Sequence, residues 1–401
     1  MIKNIKKVIR ITGLMLLCMA IGYGIGMGIG HFLGGGADGE SIDKMKMVKA
    51  VIMSSVALVV GVLDNAILHE AGHLVGGLLT GYKFLSFRIF NLTLQKEDDG
   101  WHWKKFNLLG TLGQCLMCPP HTQEVPYFWY NVGGVMVNLI ICVVSGIMLF
   151  FDLPMLAFVL CVMHLAVGVW FLLMNAIPMT VGGVSNDGKN ILVLWRHPEQ
   201  RKQFHNMLAV AAEQSRGKRV CELPREWFES TPLTKGSTVM EMSARNLNYV
   251  RLMDEMRFDE AREIAEEMMS METLLPQLFQ MEVAGDLLLL ELATRNRFDI
   301  VNGLWNKKFG AEKMTMQKYN MTYRKYLPLK SAILFAYELI NNQSPETAQK
   351  YYNEVESNFN NFTQPGEART ALAIMEKINT VQQKSRSDNT SGFLHTINNL
   401  T

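Results

Sequence analysis

The sequence predicts a mostly α-helical, multi-span membrane protein with a small β-hairpin and a C-terminal, repeat-like helical domain that is soluble. Three observations carry that class. Up to about Val184, long charge-free apolar runs alternate with short polar loops, although the 401-residue chain as a whole is only 49% hydrophobic. After about Asp187 the chain turns polar and charged with ordinary amphipathic periodicity. Between two of the apolar runs lies a segment rich in aromatic and β-branched residues. The expected division is a membrane-embedded domain over 1–198, a helical domain over 199–385 and a disordered polar tail over 386–401.

A spanning helix needs about 20 apolar residues. The runs 11–33, 51–79, 128–151 and 153–177 meet that length and give four crossings. The first follows Lys3, Lys6, Lys7 and Arg10, as a secretory signal would, but its apolar stretch exceeds the roughly 7–15 residues of a signal core, so a retained helix is expected. Its glycines, Gly22 to Gly30 at alternate positions, include small-xxx-small spacings that allow close helix packing. Positive residues stay cytoplasmic. The basic N-terminus is therefore expected inside, the loop over 81–127 with Lys83, Arg88, Lys96, Lys104 and Lys105 also inside, and everything after Asp187 inside. Both termini then face the cytoplasm of what reads, from the style of the chain, as a bacterial plasma membrane.

Composition also excludes. A formal net charge of +2 with no long basic block argues against a nucleic-acid partner. Of the six cysteines, Cys18, Cys142 and Cys161 lie in apolar runs, so no disulfide framework is expected.

The second run carries chemistry. "DNAILHEAGHLVGGLL", Asp64 to Leu79, places His69 and His73 four residues apart and so on one helix face, where two imidazoles can ligate one Zn2+ ion. Glu70 stands beside the first ligand as the candidate general base for the attacking water. The pattern also arises by chance on soluble helices. Here Asp64, Asn65, His69, Glu70 and His73 interrupt an otherwise apolar run, and ionisable residues inside a membrane segment are functional by default. A catalytic zinc takes three protein ligands. The best third is Asp187 in "NAIPMTVGGVSNDGKN", where Pro178, Gly182 and Gly183 break the last crossing; the competing reading makes Asp187 an N-cap for the helix over 189–195. His164 is the fallback ligand, although a lone membrane histidine more often only bonds across helices.

These residues together resemble the site-2 protease family of intramembrane zinc metalloproteases. "HEAGH" fits its His-Glu-x-x-His in a membrane helix. "GGVMVNL", Gly133 to Leu139, is similar to its glycine-then-asparagine motif, with Asn138 at the asparagine position. "NAIPM" followed by "NDG" resembles its Asn-x-x-Pro and Asp-Gly pair, with Asn175 and Asp187 at the matching positions. The likeness covers about residues 48–195. Two positions depart: Asn186 stands where the family usually has Leu, and Gly134-Val135 where Gly-Pro is common. The resemblance implies cleavage of a membrane-anchored protein or peptide within or near its transmembrane segment, with Asp187 as third zinc ligand and Asn138 and Asn175 supporting the site or its substrate.

In the loop over 81–127, Phe84 to Gln95 reads as one strand, Glu97 to Gly100 as a turn and Trp101 to Phe106 as a return strand. An extended substrate could add to the edge of that hairpin; alternatively Trp101 and Trp103 anchor it at the bilayer surface. Cys115 and Cys118, with His121 close behind, lack a second cysteine pair and read as a reduced turn rather than a metal knuckle. In the polar half, "MRFDEAREIAEEM" at Met256 and "NRFDIVNGLWNKK" at Asn296 resemble each other, and "SPETAQKYYNEV" at Ser344 is a weaker copy. Paired helices at such periods fit tetratricopeptide-like repeats that bind a protein partner; a plain bundle is the alternative. The expected function is an intramembrane zinc endopeptidase with a cytoplasmic repeat domain for substrate or regulator. Its rival is a non-catalytic membrane scaffold or pseudoprotease acting through the repeats. A membrane-tethered protease of soluble type would need a ligand in the polar half, which offers no convincing helix for one.

Overall fold

The computed structural model describes residues 26, 44–97, 100–105, 112–120, 122, 125–181, 184–271, 277–309 and 313–398. The first expected crossing, 11–33, thus lies outside the described residues but for Gly26, as do His121, Gly182 and Gly183. The described chain is mostly helical and divides into two compact units.

The first unit comprises Met1–Gly76, Phe128–Pro178 and Asn186–Gly188. Its helices are α1 (Lys44–Leu79), α2 (Tyr127–Met148) and α3 (Met155–Ala176). Each contains a segment long and apolar enough to cross a membrane: Val48–Leu79, Tyr127–Met148 and Met155–Ala176. The apolar runs overshoot α2 and α3 by a few residues because Asp152 and Pro154 require a turn between them. Outward faces carry exposed Val51, Val59, Leu68, Ile140, Val144 and Leu156. Inward, α1 and α3 pack through Ala57, Val159 and Met163. α1 and α2 meet backbone to backbone. A Cβ on Gly72 would lie 2.3 Å from the Gly133 carbonyl oxygen, and one on Gly133 would lie 2.1 Å from that of Gly72. Only paired glycines permit that approach, which brings polar side chains of both helices into one buried seam.

The second unit comprises Gly77–Tyr127, Met179–Ser185 and Lys189–Thr401. It opens with an antiparallel sheet in the order β3-β2-β1-β4, from β1 (Lys83–Ile89), β2 (Leu92–Glu97), β3 (Gly100–Lys105) and β4 (Gly113–Cys118). The expected hairpin therefore covers β1, β2 and β3, three strands of a four-stranded sheet. Phe84 to Gln95 is two strands, folded at Phe90, whose φ of 51° is left-handed. A bulky residue there carries no turn signature, which is why the sequence reads as continuous. The turn expected at Cys115 and Cys118 is likewise strand β4, ended by Pro119 and Pro120. An odd separation on a strand sends the two thiols to opposite faces. The sheet's free edges are β3 and β4, and β1 is interior.

A two-stranded turn, β5 (Thr180–Val181) and β6 (Val184–Ser185), precedes α4 (Asp187–Arg196) and α5 (Arg201–Ser215). The sheet's buried Gln95 donates its amide to the Ser215 carbonyl at the end of α5, at 3.4 Å. Helical hairpins follow. They pair α6 (Val239–Asp254) with α7 (Phe258–Ser270), α8 (Gln277–Thr294) with α9 (Phe298–Trp305), and, after β7 (Lys308–Phe309), β8 (Met314–Thr315) and α10 (Met316–Tyr323), α11 (Pro328–Ala336) with α12 (Pro345–Ser357). Each of the three turns contains one left-handed residue: Met256 (φ 59°), Asn296 (φ 46°) and Gln343 (φ 52°). Each similar sequence segment thus supplies the second helix of a hairpin, and the first two also contain the left-handed turn residue. One core joins them, including Tyr249, Ala261, Leu288, Val301, Ile333, Ala348 and Ile374. α13 (Pro365–Asn398) closes the chain and takes in most of the stretch 386–401 expected as a disordered tail.

Candidate metal centre

His69 and His73 lie one turn apart on α1, inside the seam with α2, and both are buried. α2 fixes their ring orientation. The His73 Nδ1 faces the Tyr130 carbonyl oxygen at 2.7 Å. The His69 Nδ1 faces Asn138 Oδ1 at 2.7 Å. Asn138 is fully buried, and its Nδ2 donates to the Asn65 carbonyl and side-chain oxygens at 3.5 and 3.3 Å. That assigns the amide's oxygen to His69. Both Nδ1 atoms therefore donate, and in neutral imidazoles both Nε2 atoms present lone pairs.

The lone pairs converge. His69 Nε2 and His73 Nε2 are 3.1 Å apart. Asp187 Oδ2 lies 3.3 Å from the first and 3.4 Å from the second. With neutral rings there is no hydrogen among these three acceptors. No other donor reaches the buried Asp187 Oδ2 among the described residues. A tetrahedral ion bound at about 2.0–2.1 Å spaces its ligand atoms about 3.3 Å apart. The donor set therefore fits a metal ion, and among the described residues it is the one group of three or more such side chains that does so.

Space around the rings is set by glycine. A Cβ on Gly134 would sit 2.6 Å from both His69 Cε1 and His73 Nε2. Gly134 and Asn138, one turn apart on α2, thus serve the same two rings: one admits them and the other orients His69. Asp187 is the first residue of α4, not its cap, and its side chain turns to the imidazoles. The backbone beside it is tight against α3, since a Cβ on Gly188 would lie 2.2 Å from the Ala176 carbonyl oxygen.

Of the residues expected at the site, the structure brings together His69, His73, Asp187 and Asn138. Glu70 follows His69 on α1 and is half-buried. Asn175 is not among the converging groups: its amide donates to the Phe171 carbonyl of its own helix at 2.9 Å. His164, the fallback ligand, is engaged elsewhere, with Nε2 3.1 Å from Asp64 Oδ2 and Nδ1 2.8 Å from the Leu160 carbonyl. Sequence reasoning gave no role to Asn65, Tyr130 or Gly134. Asn65 had a signal, since it precedes His69 by one turn in an apolar run; Tyr130 acts through its backbone and leaves none. Comparison with known proteins finds no matching family model, no matching curated protein and no matching solved structure.

Proposed function

We propose that this chain is an intramembrane zinc endopeptidase that hydrolyses membrane-anchored protein or peptide substrates. The observation that carries the reading is the convergence of His69 Nε2, His73 Nε2 and Asp187 Oδ2 within 3.4 Å of one another, in a seam between helices long and apolar enough to span a bilayer. His69, His73 and Asp187 would hold the zinc. When bound, zinc lowers the pKa of water and polarises a peptide carbonyl. Glu70 accepts the proton of the attacking water and passes it to the departing amine. Asn138 and the Tyr130 carbonyl keep both imidazoles in the ligating tautomer while Glu70 works.

The chain is then a multi-pass membrane protein, with α1, α2, α3 and the run 11–33 as its crossings. The basic residues of the N-terminus and of the sheet favour a cytoplasmic side for both, and with four crossings for the C-terminus too, in a bacterial plasma membrane. The three hairpins with like turns at Met256, Asn296 and Gln343 support a tetratricopeptide-like array that receives a protein partner, either the substrate or a regulator. A substrate segment must be extended to be cut, and the open edge strand β3 can receive such a segment.

The test is cleavage of a membrane-anchored peptide in vesicles carrying the purified protein. The wild-type chain should cut, a chelator should stop it, and zinc should restore it. Glu70→Gln should lower the rate at least about 100-fold while zinc remains bound. Equal cleavage by Glu70→Gln would remove Glu70 from the chemistry. Failure of the wild-type chain to cut any anchored peptide, with zinc in place, would favour the scaffold reading.

A further inference from the structure

We propose that Asn186 is the positioning residue of the metal centre: its side-chain amide clamps the Asn186–Gly188 segment to the C-terminal carbonyls of α3 and thereby sets where the Asp187 carboxylate lies. This rests on the metal-centre reading above.

The last turn of any helix leaves carbonyl oxygens without intrahelical partners. α3 ends at Ala176, just before Pro178, which cannot extend it. One of its terminal oxygens and that of its C-cap residue, Ile177, are taken by one group. Asn186 Nδ2 donates to the Met174 carbonyl at 2.6 Å and to the Ile177 carbonyl at 2.7 Å. Both partners are pure acceptors, and Nδ2 has two hydrogens, so the amide can face only this way. On the other side of Asp187, Gly188 lies on the same helix end: a Cβ there would sit 2.2 Å from the Ala176 oxygen and 2.9 Å from the Asn175 oxygen. Asp187 is thus fixed at both flanking residues to the last turn of α3. Its own Oδ2 accepts no hydrogen bond among the described residues, so side-chain hydrogen bonds do not aim that atom. The backbone clamp does.

The experiment measures zinc affinity by competition with a chromogenic chelator, and backbone amide exchange over 184–190 in the metal-free protein. Asn186→Leu should weaken zinc binding about 10- to 100-fold, the range for residues that orient ligands. Asn186→Gln, nearly the same size with both donors kept, should retain more affinity than Asn186→Leu. In an Asp187→Ala background, Asn186→Leu should cause no further loss, since no carboxylate remains to be positioned; a merely structural role would add its effect there as well. Amide exchange over 184–190 should quicken in Asn186→Leu. Unchanged affinity in Asn186→Leu, or an additive loss in the Asp187→Ala background, would overturn the proposal. If the wild-type chain takes up no zinc, the proposed function fails, while exchange still decides the clamp: unchanged exchange refutes it.

Discussion

Gly134 shows how narrowly the centre is built. The two imidazoles occupy the space where a side chain on that residue would begin. Gly134→Ala should displace His69 or His73 and abolish stoichiometric metal binding, because a Cβ 2.6 Å from both rings cannot be absorbed by backbone held at Gly72 and Gly133. Metal content of the folded variant, checked by circular dichroism, decides it; full metal content would mean the rings have room to move. At this scale the sequence is readable where residue type declares the chemistry. His69, Glu70 and His73 stand out because charge in an apolar run needs a reason. Asp187 follows because a third ligand is required. The rest is less readable because it depends on relations between helices: a carbonyl of Tyr130, an amide of Asn65, and two donors of Asn186 found by α3.

Elements were legible where periodicity is long and uniform, and less so where a turn is made by an unexpected residue. The apolar runs locate α2 and α3 to within a few residues, whereas α1 begins at Lys44, ahead of the run that starts at residue 51. β1 and β2 read as one strand because Phe90 turns the chain with a left-handed φ of 51° and no glycine. The same device recurs in the helical hairpins, where Gln343 is exposed and left-handed (φ 52°). Its side chain gains nothing from that conformation, and a Cβ there is strained by about 1 kcal/mol. Gln343→Gly should therefore stabilise the helical unit by about 0.5–1 kcal/mol, seen as a higher midpoint in thermal or urea unfolding. A lower midpoint would mean that the glycine's added freedom in the unfolded chain outweighs the strain.

On the scale of the whole molecule, each unit buries a polar cluster, and the two differ in kind. In the helical unit, Glu282 accepts from the Tyr319 hydroxyl and from the buried Lys330 ammonium. Tyr249 bonds Asp286, and Glu367 on α13 faces the same charges. Three carboxyls share one ammonium. Burial, with the charge of Glu282, pushes both Asp286 and Glu367 up to about 7. Their folded values exceed the ordinary unfolded value of about 4, so the stability they contribute is fully present below about pH 4 and is lost as pH rises through 7. The helical unit should unfold more easily at pH 8 than at pH 5, and Asp286→Asn with Glu367→Gln should flatten that dependence. An unaltered pH profile in the double variant would assign the effect to other groups. This cluster could not be read from sequence, because its members come from α6, α8, α10, α11 and α13 and meet only when the core closes.

In the first unit, the cluster of His69, His73 and Asp187 could hold a metal ion. The measurement that tests this most directly is zinc per chain, by elemental analysis of protein purified in detergent. The account predicts about one zinc in the wild-type chain and in Glu70→Gln, and none above background in His69→Ala, His73→Ala or Asp187→Ala. Full zinc in Asp187→Ala, or none in the wild-type chain after exposure to excess zinc, would contradict it.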